Sequence, residues 1–212
     1  MGKAQAVRSA LTLTGDSLLA AIFAPACACC GQTLDAPLTG PVCPRCWQDA
    51  HLADGKYDGA LREIIHAYKY EGRRSLTRPL GALLKERSTE ALRNAACVVP
   101  VPQFMWRRLT RGFNPADSLA RQLGVTVLPA LWRVRSTRPQ TGLSAGERRR
   151  NVQGAFRLSP FLSQENQTRF ITSRIVVLCD DVFTTGATSN ECAEVLTEAG
   201  AGEVRVVTLA RA

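Results

Sequence analysis

The chain has 212 residues, of which 45% are hydrophobic and 21% charged, and it carries a formal net charge of +9. That length accommodates one full domain or one domain with a small appendage, and the composition excludes collagen, a coiled coil, a disordered polyampholyte and a strongly acidic partner protein. Only Lys3, Lys56, Lys69 and Lys85 are lysines among the 27 basic residues. Arginine's planar fork of donors matches phosphate oxygens in pairs, so the charge leans toward phosphate or nucleic-acid ligands, or else records a coding bias toward arginine.

Residues 7–26 place Leu11, Leu18, Leu19, Ile22 and Phe23 at helical spacing. Gly15-Asp16-Ser17 interrupts the apolar run that a secretory signal needs, and Pro25 falls where cleavage would occur. The stretch is therefore expected to be an amphipathic helix. With no run of about 18 apolar residues, no transmembrane segment is expected, and the expected location is cytoplasmic.

Five of the eight cysteines follow within twenty residues. Cys27-x2-Cys30 and Cys43-x2-Cys46 form two knuckles a dozen residues apart, and each knuckle can aim two thiolates at one ion from a tight turn. Four thiolates complete a tetrahedron at about 2.3 Å and leave no open position, so the expected ion is a structural Zn2+. Cys29 remains an alternative ligand to Cys27 or Cys30. Nothing between Cys30 and Cys43 is basic, so the knuckles themselves give no sign of a DNA surface.

After Tyr57 the pattern changes. Asp58–Tyr70 is predicted helical from Leu61, Ile64, Ile65 and Tyr68, and Leu76–Leu92 reads as a second helix. Ala96–Val101 reads as a strand, Asn114–Gly124 as a helix and Val125–Leu128 as strand-like. Residues 133–155 are polar, arginine-rich and aperiodic, which predicts a long exposed loop. Arg174–Cys179 is a buried strand, Thr188–Ala199 a helix and Glu203–Leu209 a final strand. Strands alternating with helices predict an α/β fold with a mostly parallel sheet flanked by helices. The expected organisation is a helix and four-cysteine module over 1–55 and an α/β domain over 56–212.

The segment Arg174–Thr188 holds the chemistry. A hydrophobic strand runs into Asp180-Asp181, and the small residues Thr184, Thr185, Gly186, Ala187 and Thr188 lead into a helix. Ligands of open α/β sheets sit beyond the carboxyl ends of strands. Backbone N–H groups at a helix start favour an anion, and threonine hydroxyls add donors. A phosphate is expected there. Two adjacent acids would repel it, so their role is to accept hydrogen bonds from sugar hydroxyls, directly or through Mg2+. Acid pair plus anion loop implies a ribose 5-phosphate ligand. Neither an NTPase phosphate loop nor a dinucleotide fingerprint occurs. His51 and His66, the only histidines, are expected to be structural or surface residues.

VVLCDDVFTTGAT resembles the phosphoribosyl pyrophosphate (PRPP) motif of type I phosphoribosyltransferases. The chain from about 25 to 210 resembles the ComF family, also called ComFC or GntX-like, through several segments. These are the knuckles, Lys69-Tyr70, Val99-Pro100-Val101-Pro102, Arg111-Gly112-Phe113-Asn114, Gln140-Thr141-Gly142-Leu143, Arg148 with Asn151, and Gly154-Ala155-Phe156. That family is associated with natural competence, in which DNA is internalised as a single strand. The resemblance implies that Asp180 and Asp181 hold the ribose 2- and 3-hydroxyls and that Thr184 to Thr188 hold the 5-phosphate. It implies that Arg107, Arg108 and Arg111 approach pyrophosphate, and that Arg138 and Arg148 belong to a loop that closes over the site. Two departures stand out. Many phosphoribosyltransferases carry an acid where Thr184 stands, and Asn114-Pro115 replaces the family's usual Asn-Gln.

Three functions follow as expectations. One is a phosphoribosyltransferase using PRPP and Mg2+, in DNA uptake or in nucleotide salvage with an unidentified acceptor. Another is a single-stranded-DNA-binding module, with Arg148 to Arg150 as candidate contacts. The last is a non-enzymatic PRPP sensor. Competence-machinery proteins are expected partners, at the periphery of the inner-membrane uptake machinery.

Overall fold

The computed structural model describes residues 25–104, 112–135 and 145–212. The helix expected over 7–26 lies almost entirely outside them. The chain divides into two compact units after Leu76. The helix that follows Tyr57 therefore belongs with the cysteine module, whereas the sequence alone suggests a boundary at 55/56.

In the first unit a short hairpin precedes the helices. Ala26 bridges Thr33 in antiparallel fashion, and Gly31, at φ +73°, turns the chain between them. Helix α1 spans Pro44–Leu52, with Pro44 supplying a fixed φ at the first turn. Helix α2 spans Gly59–Tyr70 and buries Leu61, Ile64, Ile65 and Tyr68, the stripe predicted from the sequence. It packs against α1. A 3-10 turn follows at Arg74–Leu76.

The second unit begins with α3 (Thr77–Arg87) and the short α4 (Thr89–Leu92). The single helix predicted over 76–92 breaks at Ser88, whose backbone sits at φ −106° and ψ 9°. The Thr89 hydroxyl donates to the Glu86 carbonyl at 3.0 Å and so competes for the helical acceptors. Strand β1 (Cys97–Pro100), helix α5 (Pro115–Ala120), strand β2 (Leu131–Arg133), helix α6 (Ala145–Val152) and strand β3 (Phe156–Leu158) follow. Helix α7 (Gln164–Phe170), strand β4 (Ile175–Phe183), helix α8 (Ala187–Glu198) and strand β5 (Glu203–Arg211) complete the unit.

The main sheet is parallel, in the order β1-β4-β5. Val127 adds one parallel bridge to Val98 on the outer side of β1, the remnant of the strand predicted over 125–128. Both faces are covered, as a parallel sheet requires. Val176 and Leu178 enter a core with Phe156, Cys192 and Leu196. By strand alternation Val177 and Cys179 face the opposite side, where the Cys179 thiol donates to the Ala116 carbonyl of α5 at 3.7 Å. Every described member of the first core lies in the second unit, so this unit carries its own hydrophobic centre.

Residues 133–155 depart from the long loop expected there. Strands β2 and β3 form an antiparallel pair, Leu131 opposite Leu158 and Arg133 opposite Phe156. Between them α6 forms, and Val152 and Ala155 are buried in the core. Three contacts anchor the segment in place of periodic packing. Arg135 donates to the carbonyls of Asn151 and Gln153 at 3.3 and 2.7 Å, at the end of α6. The Gly154 amide donates to Glu191 of α8.

Candidate functional site

The cysteine centre is built by two different turns. Cys27 to Gly31 is the hairpin turn, in which the Gly31 amide donates to the Cys27 carbonyl at 2.9 Å. Cys43 caps α1 and Cys46 lies in its first turn, buried. The Ala28 amide donates to the Pro41 carbonyl at 2.7 Å and ties the two turns together. The sulfurs of Cys27, Cys30, Cys43 and Cys46 lie within 4.8 Å of one another and can hold one metal ion. The Cys30 and Cys43 sulfurs stand 3.8 Å apart. That separation matches the edge, about 3.8 Å, of a tetrahedron with metal–sulfur bonds of about 2.3 Å. Cys29 is not one of these four; its thiol donates to the Ala60 carbonyl at 3.8 Å and its sulfur neighbours Cys46.

The electrostatics of the four sulfurs fit a cation. Burial opposes a Cys27 thiolate, but backbone N–H groups of Cys30, Cys43 and Cys29 outweigh it and bring the thiol down to about 6. Two of those bonds are explicit, from the Cys29 and Cys43 amides at 3.4 and 3.3 Å. Burial, and then the crowding of the Cys43, Cys29 and Cys30 sulfurs, pushes the Cys46 thiol up. Crowded thiolates resist joint ionisation until a positive ion neutralises them.

The second candidate site lies at the carboxyl end of β4. The sequence suggests that the strand stops at Cys179. It continues through Asp180 and Asp181 to Phe183, because β5 pairs with it on both sides of Asp181, Asp180 opposite Thr208 and Phe183 opposite Arg211. Alternation sends the two acids to opposite faces, with Asp181 buried and Asp180 partly exposed. The Asp181 amide donates to the Asp180 carboxylate at 2.8 Å. Cys179 is no nucleophile: burial, then Asp180, Asp181 and Asp117, push its thiol up.

Thr184 and Thr185 form an exposed turn, and Gly186 occupies the N-cap position of α8 at φ +73° and ψ −4°. A β-carbon there would approach the Phe183 ring to 2.7 Å. Glycine thus meets a left-handed backbone and a close aromatic neighbour together. No side chain caps this helix. Gly186 offers no side-chain acceptor to the first amides of the helix, and the threonines at 184, 185 and 188 bracket that start in sequence. Ala187 is buried in the core and Thr188 is half-buried, which fixes the helix start against the sheet. An anion fits this cradle, and hydroxyl groups fit the acids beside it.

At the neighbouring strand end, Asn114 does work that the sequence did not reveal. Its amide donates to the Val101 carbonyl at 3.1 Å and accepts from the Ala116 amide at 3.2 Å. The side chain therefore joins the end of β1 to the start of α5. An Asn followed by a proline at the first helical position is a capping signal, whereas the bond to Val101 joins residues well apart in the chain and leaves no such mark. The candidate pyrophosphate residues Arg107, Arg108 and Arg111, and the loop candidate Arg138, lie outside the described residues. Arg148 falls within α6. His51 donates through Nδ1 to the Trp47 carbonyl, 2.7 Å away, and His66 stands 3.6 Å from Glu71. Both have structural partners at the surface of the first unit.

Against known proteins, a family model described as the phosphoribosyl transferase domain matches residues 108–212. The chain is 34% identical over 203 residues to Competence protein F of Haemophilus influenzae, covering 89% of this chain and 85% of that one. It is 34% identical over 194 residues to DNA utilization protein YhgH of Escherichia coli K12, covering 86% of this chain and 77% of the relative. To Competence protein ComFC of Streptococcus pneumoniae it is 28% identical over 162 residues, covering 76% and 68%. Among the described residues no helix is long and apolar enough to cross a membrane.

Proposed function

The chain belongs to the ComF family of competence proteins, and from that premise we propose that it binds PRPP with Mg2+ and acts where incoming DNA is handled as a single strand. The observation that carries the ligand half is the uncapped, glycine-led start of α8 directly behind an acid pair at a strand end. Residues 184–188 bind the 5-phosphate through backbone amides and hydroxyls. Asp180 and Asp181 accept hydrogen bonds from the ribose hydroxyls and offer oxygens to Mg2+. The metal, when bound, spreads the negative charge of pyrophosphate. Arg107, Arg108 and Arg111 pair with that pyrophosphate, while Arg138 and Arg148 neutralise charge developing as it departs. The four cysteines hold a structural Zn2+. The protein works in the cytoplasm, beside the uptake machinery at the inner membrane.

Calorimetric titration with PRPP tests this reading. Binding is expected only with Mg2+, and Asp180→Asn with Asp181→Asn should weaken it at least tenfold while Tm without ligand stays within a few degrees. Metal-independent binding, or binding indifferent to both changes, overturns it. Thr184 favours a second reading, a PRPP sensor without turnover, because the acid that contacts the base in many phosphoribosyltransferases is replaced here by a hydroxyl. Pyrophosphate release separates the two: release with a purine, a pyrimidine or water makes the protein an enzyme, and tight binding without release makes it a sensor.

A further inference from the structure

Strand alternation on the β2–β3 pair sorts its side chains into two sets. Arg133 and Phe156 face inward, the guanidinium standing 5.2 Å above the ring. Trp132 and its cross-strand partner Arg157 project together from the other face, since residues directly opposite share a side. Trp132 is 41% exposed, and Val134, the next outward position, is 44% exposed. Phe161, just beyond β3, is 84% exposed and meets Trp132 edge to face, with ring centroids 6.2 Å apart at 74°. Arg157 is exposed beside them.

We propose that Trp132, Phe161 and Arg157 form a stacking platform for single-stranded DNA. The proposal rests on the DNA-handling half of the function above and is independent of the PRPP site. An edge-to-face pair holds two rings in fixed orientation yet leaves a ring face open to solvent. A nucleobase covers one such face, and every base has a face to offer. The guanidinium of Arg157 stands where the connecting phosphate passes, and the overall charge of +9 favours a polyanion. A protein partner fits less well. Stable protein interfaces bury about 800 Å² on each side, and two rings with one valine fall far short of that area. A base requires only one ring.

Fluorescence anisotropy with a labelled dT20 oligonucleotide, on the full chain, tests the platform. Trp132→Ala and Phe161→Ala should each weaken binding roughly 5- to 100-fold, the span of a lost base stack. Trp132→Phe should keep most of it, because a ring remains. Arg157→Ala should lower the slope of log affinity against log salt by about 0.7, the counterion share of one phosphate on a single strand. A PRPP-induced rise in Tm equal to that of the unchanged protein verifies that each variant is folded. If dT20 binds the variants as tightly as the original, the platform is overturned while the DNA-handling reading survives. If the original protein fails to bind dT20 at low salt, direct DNA contact and the platform both fail. Preference for an rU20 strand over dT20 overturns the assignment to DNA.

Discussion

Gly186 must satisfy two demands at one position. Its φ of +73° lies where L-residues are strained, and its α-carbon passes so near the Phe183 ring that a methyl group would sit 2.7 Å from a ring carbon. Gly186→Ala should therefore cost roughly 1–2 kcal/mol from the backbone alone, with more from displacing the ring. Either adjustment also turns the first amides of α8, so PRPP affinity should fall at least tenfold. Adding Phe183→Leu should recover part of the lost Tm and little of the affinity, since the strained backbone remains. Thermal melts beside titrations check this, and a Gly186→Ala protein that binds PRPP normally would show that the helix start is not the anion cradle. Asn114 is the converse case. It touches no proposed ligand atom, yet two hydrogen bonds make it the joint between a strand end and a helix start.

The cysteine module shows how two short elements create one centre. A hairpin turn supplies Cys27 and Cys30, and a helix start supplies Cys43 and Cys46. Backbone amides already stabilise negative charge on Cys27, whereas Cys46 is crowded by neighbouring sulfur, so the metal-free centre is electrostatically frustrated. Cys46→Ser should reduce bound zinc from one ion per chain to a small fraction and accelerate amide exchange across residues 25–52. Cys29→Ser should leave the ion in place, because the other four sulfurs already lie within 4.8 Å of one another. Elemental analysis with hydrogen exchange distinguishes the two. Loss of zinc in Cys29→Ser would return Cys29 to the ligand set.

Legibility varied among elements for physical reasons. Helix α2 and strand β4 were readable because buried apolar residues repeat at the period of the element. The proposed anion cradle stands out in the sequence because its residues are contiguous. Helix α7 was missed: Gln164-Glu165-Asn166-Gln167 carries no apolar stripe, and its only signal is the Ser163 hydroxyl accepting from the Asn166 amide at 3.2 Å. Helix α6 was read as loop because five of its eight residues, Glu147 to Asn151, are charged or polar. What secures that segment comes from distant residues, Glu191 and the core around Val152, and composition cannot announce such contacts. The polar end of β4 escapes the sequence in the same way, since its pairing partner lies about one helix further along the chain.

Within the second unit, the two pairings of the main parallel sheet differ in how much chain they span. Strand β1 reaches its neighbour β4 after more than seventy intervening residues, whereas β4, α8 and β5 form an unbroken run from Ile175 to Arg211. Closing a short loop costs less entropy than closing a long one, so β4 and β5 should pair before β1 docks. Leu196→Ala, between α8 and the sheet, should then slow refolding with a φ-value above about 0.5, while Val98→Ala on β1 should mainly speed unfolding. Both side chains are fully buried, so each change is large enough to measure. Stopped-flow chevrons give the answer, and the opposite ranking rejects this order. The early run is also the one that carries Asp180, Asp181 and the helix start at Gly186. If PRPP binds there as proposed, a chain only part of the way to its native state already owns the binding segment, and the ligand acts as a folding template.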